Sequence, residues 1–534
     1  MKKLCALLLL ILPALAVTHA SQRPPLSEAE IVDIAQLVKL EDTRMFDEAL
    51  LSRLIASKHP EVRRRAVVAV GRIVNPGGSA LLTPLRQDQS ADIVATVAFA
   101  SGQLKDAAAV GWLAQMLSTP STPEAVGVEA ARALGKIRTP EARAALAAYL
   151  LTSRKSPAST AVVGEALLSI GRFTTRDDLA PIAAWTTTIN VEVRWRATWA
   201  LYRPRHPAAV PLLLDLTHDP SAEIRFWAAR GLTPIPQPTG PAAAEAPKVE
   251  NIDPVVASTR LRVLLKDGDR RVRTEALRAL TAFDDDASFN AVMAALDDRD
   301  TWMSVSAAET IGRQTARADV VGPKLTAIIA DESRPSALRT VARQQLARLT
   351  APPPDPNPSA GSGRAGRQGG AAQPAAPTRT DADYRAIVER WIVPAYNGAK
   401  APRAIWMTPK GEIEMELHAA EAPLGMEELV RLTESGDIVG TAFTRLVPNF
   451  VAQQATIRGA NRLRDEVSRL GLTRGNLAWA SSGLDTGRPG YTLGNTPQPH
   501  NEGDFTALGR VVRGMEVVDR LELGDTVTAA KIVK

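Results

Sequence analysis

The chain has 534 residues, 45% of them hydrophobic, so it is too long for one compact core and apolar enough for at least two domains or a repeat array. Aromatic residues make up only 4%, and alanine, leucine, valine and arginine take their place, a balance that suits helices packed closely on helices. The formal charge of +6 is no nucleic-acid footprint: Lys2 and Lys3 sit in a leader-like segment, and residues 403–534 carry 15 basic against 17 acidic side chains.

Met1-Lys2-Lys3, the apolar run from Leu4 to Val17 and the small-residue site Thr18-His19-Ala20 before Ser21 have the order of a secretory signal peptide over residues 1–20. The run is short for a membrane span, and no later stretch approaches ~18 uninterrupted apolar residues. The expectation is an exported protein, periplasmic or secreted, with no transmembrane segment once the signal is removed. Cys5 is the only cysteine and precedes most of the apolar run, which does not fit a lipoprotein. The mature chain then has no thiol, which suits an oxidising compartment and leaves no disulfide or thiolate metal site.

From residue 27 to 350 the sequence repeats loosely at roughly 30 to 35 residues. The most legible unit has an acidic or small residue, a valine or isoleucine, often an arginine, and then an alanine-rich helix. Glu61-Val62-Arg63, Ala91-Asp92-Ile93, Glu192-Val193-Arg194, Glu223-Ile224-Arg225, Arg271-Val272-Arg273 and Ala337-Leu338-Arg339 are examples; Val128, Val163 and Val305 bring the count to about nine. Apolar residues recur at helical spacing within each unit, as at Val193, Ala197, Ala200 and Leu201, and breaks such as Asn75-Pro76-Gly77-Gly78 separate the helices. One helical pair cannot bury its own apolar face, so neighbours must stack into a solenoid. This region resembles HEAT-type repeats, which implies a concave surface for a protein partner. Trp195, Trp199, Phe226 and Trp227 are expected to pack between repeats, and the Pro236–Pro247 insertion reads as a surface loop.

Residues 351–380 collapse to proline, alanine, glycine and glutamine, the composition of a tether that lets two halves move independently. Residues 381–402 follow with Ile387, Val388 and Trp391 able to share a face, a short helix expected to dock on the domain it precedes. Beyond Arg403 the period becomes alternating: Glu412, Glu414 and Glu416 interleave with Ile413, Met415 and Leu417 in a strand with one buried face. Pro423 opens a helix that ends near Gly436, a second short helix runs from Met515 to Leu521, and Ala530–Lys534 reads as a closing strand.

The stretch that points to chemistry is Phe443-Thr444-Arg445-Leu446-Val447-Pro448-Asn449-Phe450-Val451-Ala452-Gln453, in which an arginine stands among residues that build a strand and turn. It resembles the signature of the cyclophilin-type peptidyl-prolyl cis-trans isomerases at every fixed position. Gly475-Asn476-Leu477-Ala478-Trp479-Ala480 and Leu508-Gly509-Arg510-Val511-Val512-Arg513-Gly514 follow in family order, and the likeness covers residues 403–534. The resemblance implies a mostly-β closed barrel with two helices, after the all-α solenoid. It makes Arg445 the catalytic donor, puts Phe450 and Trp479 in the proline pocket and gives Gln453 the peptide backbone. Ala480 and Ser481 then line the neighbouring subsite, and His500 takes the rim position where the family often has tryptophan. Proline-containing peptides or proteins are the implied clients.

Several positions depart from the family. Gln454 and Ala455 replace two glycines, Gly490 a glutamine, Thr492 a pocket phenylalanine, Asn501 a leucine and Phe505 a histidine. They keep open the alternative of a catalytically weak or inactive peptide-binding module on a HEAT-type scaffold. No other chemistry is supported. The six histidines, at positions 19, 59, 206, 218, 418 and 500, form no pair at metal-ligand spacing, no phosphate loop or nucleophile elbow is present, and no cofactor is implied.

Overall fold

The computed structural model describes residues 23–155, 158–173, 178–234, 253–312, 314–350 and 378–533. The signal-like segment, the Pro236–Pro247 loop and nearly all of the 351–380 tether lie outside the described residues.

Residues 28–350 form two rows of helices. One row runs Glu28–Thr43, Pro60–Ile73, Ala91–Leu104, Glu124–Ile137, Thr160–Ile170, Val191–Tyr202, Ala222–Gly231, Arg270–Leu280, Thr301–Ile311 and Ser336–Thr350, each packed on the next. The aliphatic residue of each sequence unit lies near the start of one of these helices: Val62, Val193, Ile224 and Val272 are all essentially inaccessible. Small residues let the row close up. A Cβ on Gly102 would lie 2.8 Å from the Cα of Ala133, and one on Gly135 would lie 2.8 Å from the Cα of Ser169. Trp195, Trp199, Phe226 and Trp227 are buried between repeats.

The arginine of the unit has a specific task. Arg194 donates to the carbonyl of Thr188 in its own repeat (2.5 Å) and to both carboxylate oxygens of Asp219 in the next (2.7 and 3.1 Å). Arg63 with Asp88, Arg225 with Asp267 and Arg273 with Asp300 repeat the arrangement. The aspartates also accept backbone N–H groups two residues on, as Asp219 does from Ser221, so one carboxylate shapes the turn and receives the neighbour's guanidinium.

The C-terminal domain is a curled antiparallel sheet of eight strands: β1 (Arg403–Thr408), β2 (Gly411–Leu417), β3 (Phe443–Val447), β4 (Val451–Gln454), β5 (Asn476–Ala480), β6 (Arg488–Gly494), β7 (Ala507–Arg513) and β8 (Ala529–Val533). Their order is β3-β4-β6-β5-β7-β2-β1-β8. The expected closed barrel needs adjustment here, because β3 and β8 do not pair along their length. A single bridge between Ala442 and Thr526, with backbone bonds such as Phe443 N to the Asp525 carbonyl (2.8 Å), draws the two edges together. The helix Pro423–Glu434 packs its apolar face on the sheet; Glu466, on a long irregular segment, accepts the N–H groups of Leu424 (3.0 Å) and Gly425 (2.7 Å) at its first turn.

The two halves are not independent. One apolar cluster runs from the first solenoid helices, through Leu37, Leu51, Val67 and Phe99, to the sheet interior at Trp406, Ile413 and Leu477. The 381–402 segment docks on both halves and not only on the domain that follows: Tyr384 Oη donates to Asp42 (2.8 Å) and Trp391 Nε1 to Glu427 (2.7 Å). Arg72, with 1% of its side chain exposed, pairs with Glu41 and donates to the carbonyls of Glu421 (2.6 Å) and Val467 (2.9 Å) across the boundary.

Candidate active site

Strands β3 and β4 place Arg445 directly opposite Gln453, and Arg445 Nη1 donates to Gln453 Oε1 at 3.0 Å. Gln453 is in turn opposite Thr492 on β6, and Thr492 opposite Ala478 on β5, so these residues form one row across the sheet. The side chain of Arg445 is exposed and forms no ion pair with a carboxylate among the described residues. The turn Pro448-Asn449-Phe450 returns the chain so that the Phe450 ring lies 5.8 Å from the Arg445 guanidinium and 5.9 Å from the His500 ring, nearly parallel to the latter. Arg445, Gln453, Phe450 and His500 therefore form one group.

Trp479 is not part of that group. Its ring is 6% exposed, faces the sheet interior and stacks on Tyr491 at 4.5 Å, with Trp406 beyond. The side chains on the cleft side of β5 are the small ones, Ala478 and Ala480, and Ala480 is itself buried. Ser481 is half-buried, and its hydroxyl serves its own loop, donating to the Gly483 carbonyl and meeting Thr486 Oγ1 at 3.0 Å.

His500 keeps an open edge, yet the surrounding mass of protein and the charges of Arg203, Arg230 and Arg172 hold its pKa down to about 4, so the imidazole is neutral at physiological pH. These arginines all come from the solenoid, which lies beside this group: Arg230 donates to the Asn449 carbonyl and Arg172 to Glu502. Sequence reasoning missed this contact, and it missed Asn449. The signals were present: asparagine tolerates the left-handed conformation found at this turn (φ 59°), and arginines recur near the C-terminal ends of the solenoid helices.

One departure from the family is explained by packing. A Cβ on Gly490 would lie 2.8 Å from the Ala455 carbonyl oxygen, so glycine is required on β6 just where the glycines of the 454–455 turn are absent.

The arrangement offers an exposed guanidinium, oriented by an amide, beside the Phe450 and His500 rings. Among the described residues no three His, Cys, Asp or Glu side chains gather as metal ligands.

Residues 404–534 match the family described as cyclophilin type peptidyl-prolyl cis-trans isomerase/CLD, and residues 79–164 and 156–233 match HEAT repeats. A peptidyl-prolyl cis-trans isomerase of Helicobacter pylori is 31% identical over 139 residues, which are 24% of this chain and 85% of that protein. One from Synechococcus elongatus is 29% identical over 139 residues, 24% of this chain and 96% of its own. A crystal structure of a Cryptosporidium parvum cyclophilin-type isomerase in the presence of the dipeptide Ala-Pro is 17% identical, covers 25% of this chain and 99% of its own, and has a TM-score of 0.23. Through its C-terminal domain the chain belongs to the cyclophilin-type peptidyl-prolyl cis-trans isomerases, here joined to a HEAT-repeat solenoid.

Proposed function

We propose that this protein is an exported isomerase of X-Pro bonds in protein clients, with Arg445 as the catalytic residue and the solenoid as the client- or partner-binding arm. Rotation about the peptide bond is opposed by ~18–20 kcal/mol of amide conjugation. Before proline the isomers are close in energy but exchange over tens of seconds or longer. A donor aimed at the prolyl nitrogen holds its lone pair out of conjugation, and no base or nucleophile is needed. Arg445 is such a donor, Phe450 and His500 grip the proline ring, and Gln453 binds the peptide backbone while orienting the guanidinium. Trp479 supports this wall from inside the sheet, and Ala480 with Ser481 borders the adjoining subsite.

The observation that carries this reading is that the Arg445 side chain is exposed beside Phe450 with an amide and no acid as its partner. The full-length protein should accelerate isomerisation of a proline tetrapeptide, and Arg445→Ala should lower kcat/KM about a hundredfold. Equal rates for the two proteins would reject the mechanism. Peptide binding without acceleration would favour the non-catalytic module suggested by Thr492 and Gly490.

Export rests on the order of residues 1–20, and among the described residues no helix is long and apolar enough to cross a membrane. Recovery of a processed chain beginning near Ser21 from the periplasm or medium tests it; an unprocessed cytoplasmic chain would refute it.

A further inference from the structure

The turn that carries Phe450 is held from outside its own domain. Asn449 adopts φ 59°, a conformation in which glycine would serve the backbone equally well. Its side chain does what glycine cannot: only 1% exposed, it donates through Nδ2 to Glu275 Oε2 (3.0 Å) and to the Arg271 carbonyl (2.9 Å), both on the solenoid helix Arg270–Leu280. Glu275 also receives both Nε and Nη2 of Arg230 (2.7 and 2.9 Å), and Arg278 donates to the Pro448 carbonyl (2.9 Å). Burial alone would raise the Glu275 pKa, but Arg230 outweighs it and keeps the carboxylate ionised.

On the other flank, Arg172 donates to Glu502, and Gln103 donates to the Gly503 carbonyl (3.0 Å), two and three residues beyond His500. Each of the two rings that face one another is thus within three residues of a solenoid anchor. Arg445 depends on neither anchor, since strand pairing and Gln453 hold it.

We propose that the Asn449–Glu275 hydrogen bond is a positioning lock through which the solenoid sets the Phe450–His500 pair, making the client pocket a two-domain site. The proposal rests on the isomerase reading above. Asn449 and Glu275 are positioning residues: a loosened turn reduces the fraction of molecules with the pocket formed, and apparent client affinity falls by that fraction. The chemical step in the bound complex is spared.

The test uses full-length Asn449→Gly, which keeps the left-handed turn and removes only the amide, with Glu275→Ala and the double variant. KM for a proline tetrapeptide should rise about five- to tenfold in Asn449→Gly with kcat within about twofold, and the double variant should be no worse than the more affected single one. An unchanged KM, a loss confined to kcat, or single effects that multiply would overturn the lock. Should the wild type show no isomerisation, the isomerase reading fails by itself, and amide hydrogen exchange over 449–451 still decides the lock. Faster exchange in Asn449→Gly and in Glu275→Ala supports it; unchanged exchange refutes it.

Discussion

The solenoid uses arginine in two rows, and they work differently. Near the start of the helices, Arg63, Arg194, Arg225 and Arg273 tie each repeat to the next through an aspartate and end within the solenoid. Farther along the helices or just past them, Arg72, Arg132, Arg172, Arg230 and Arg278 reach across to the isomerase domain and finish there mostly on backbone carbonyls, as Arg132 does on Arg469 (2.8 Å), although Arg132 and Arg230 also pair with Glu165 and Glu275 of the next repeat. The first row makes an array; the second makes the array into a cradle. A carbonyl acceptor leaves a buried guanidinium dependent on a few carboxylates for charge balance, so the second row is the more sensitive to loss.

Arg72 gives the largest expected difference between the rows. Removing it leaves Glu41 buried without its ion pair and strips three carbonyls of a donor. Arg72→Ala should therefore cost about 3–5 kcal/mol of unfolding free energy. Arg194→Ala, at a partly solvated repeat contact, should cost about 1–2 kcal/mol. Urea unfolding of both variants measures this, and equal losses would erase the distinction drawn between the rows.

The same boundary should respond to pH. Burial pushes Glu466 up to about 7, an effect that Arg72 and the Leu424 and Gly425 N–H groups offset only in part, with Glu41 nearby; burial likewise raises Asp465 to about 6. Because these folded-state values lie above the unfolded ones, the native protein holds extra protons through this interval. Their stabilisation is complete below about pH 4 and is lost as pH rises to about 7. Glu61 and Glu421 run the other way: burial would raise them, but Arg64 and Arg65 hold both down to about 2, and the stability they add above pH 4.5 is lost only towards pH 2. Between pH 4.5 and 7, stability should fall by roughly 2–3 kcal/mol on account of Glu466 alone, and Glu466→Gln should flatten that slope. A wild-type curve with no slope there would remove the boundary as its source.

Much of this was legible in the residues. The repeat period placed Val62, Val193, Ile224 and Val272 correctly in the core, and the Phe443–Gln453 stretch brings Arg445 and Gln453 to one face with the Phe450 ring beside them. Trp479 was misplaced although its parity pointed inward: it lies two residues from the core residue Leu477, while Ala478 and Ala480 alternate with it. Strand β5 is buried on both faces, which removes the polar marker that usually separates them. Arginines recurring towards the ends of the solenoid helices hinted at the cradle but not at its acceptors, because an arginine bound to a distant carbonyl has the same local sequence as one in water. The composition of 351–380 suggested independence, but the inner face of the solenoid decides how the halves meet.

The smallest effect tests whether the second row reaches the cleft itself. Arg203 ends the helix Val191–Tyr202, lies over the Trp199 ring and, among the described residues, forms no ion pair; its charge and those of Arg230 and Arg172 add to burial in lowering His500. With a pKa near 4, His500 stays neutral from pH 5.5 to 8, so kcat/KM should show no histidine titration in that range. Arg203→Ala should raise the His500 value towards that of an ordinary imidazole by a fraction of a unit, because burial and two guanidiniums remain. Ring proton shifts followed by NMR report it directly. A His500 that titrates near 6.5 in the wild type would place the solenoid arginines too far away to border the pocket, and would leave the cradle a purely structural device.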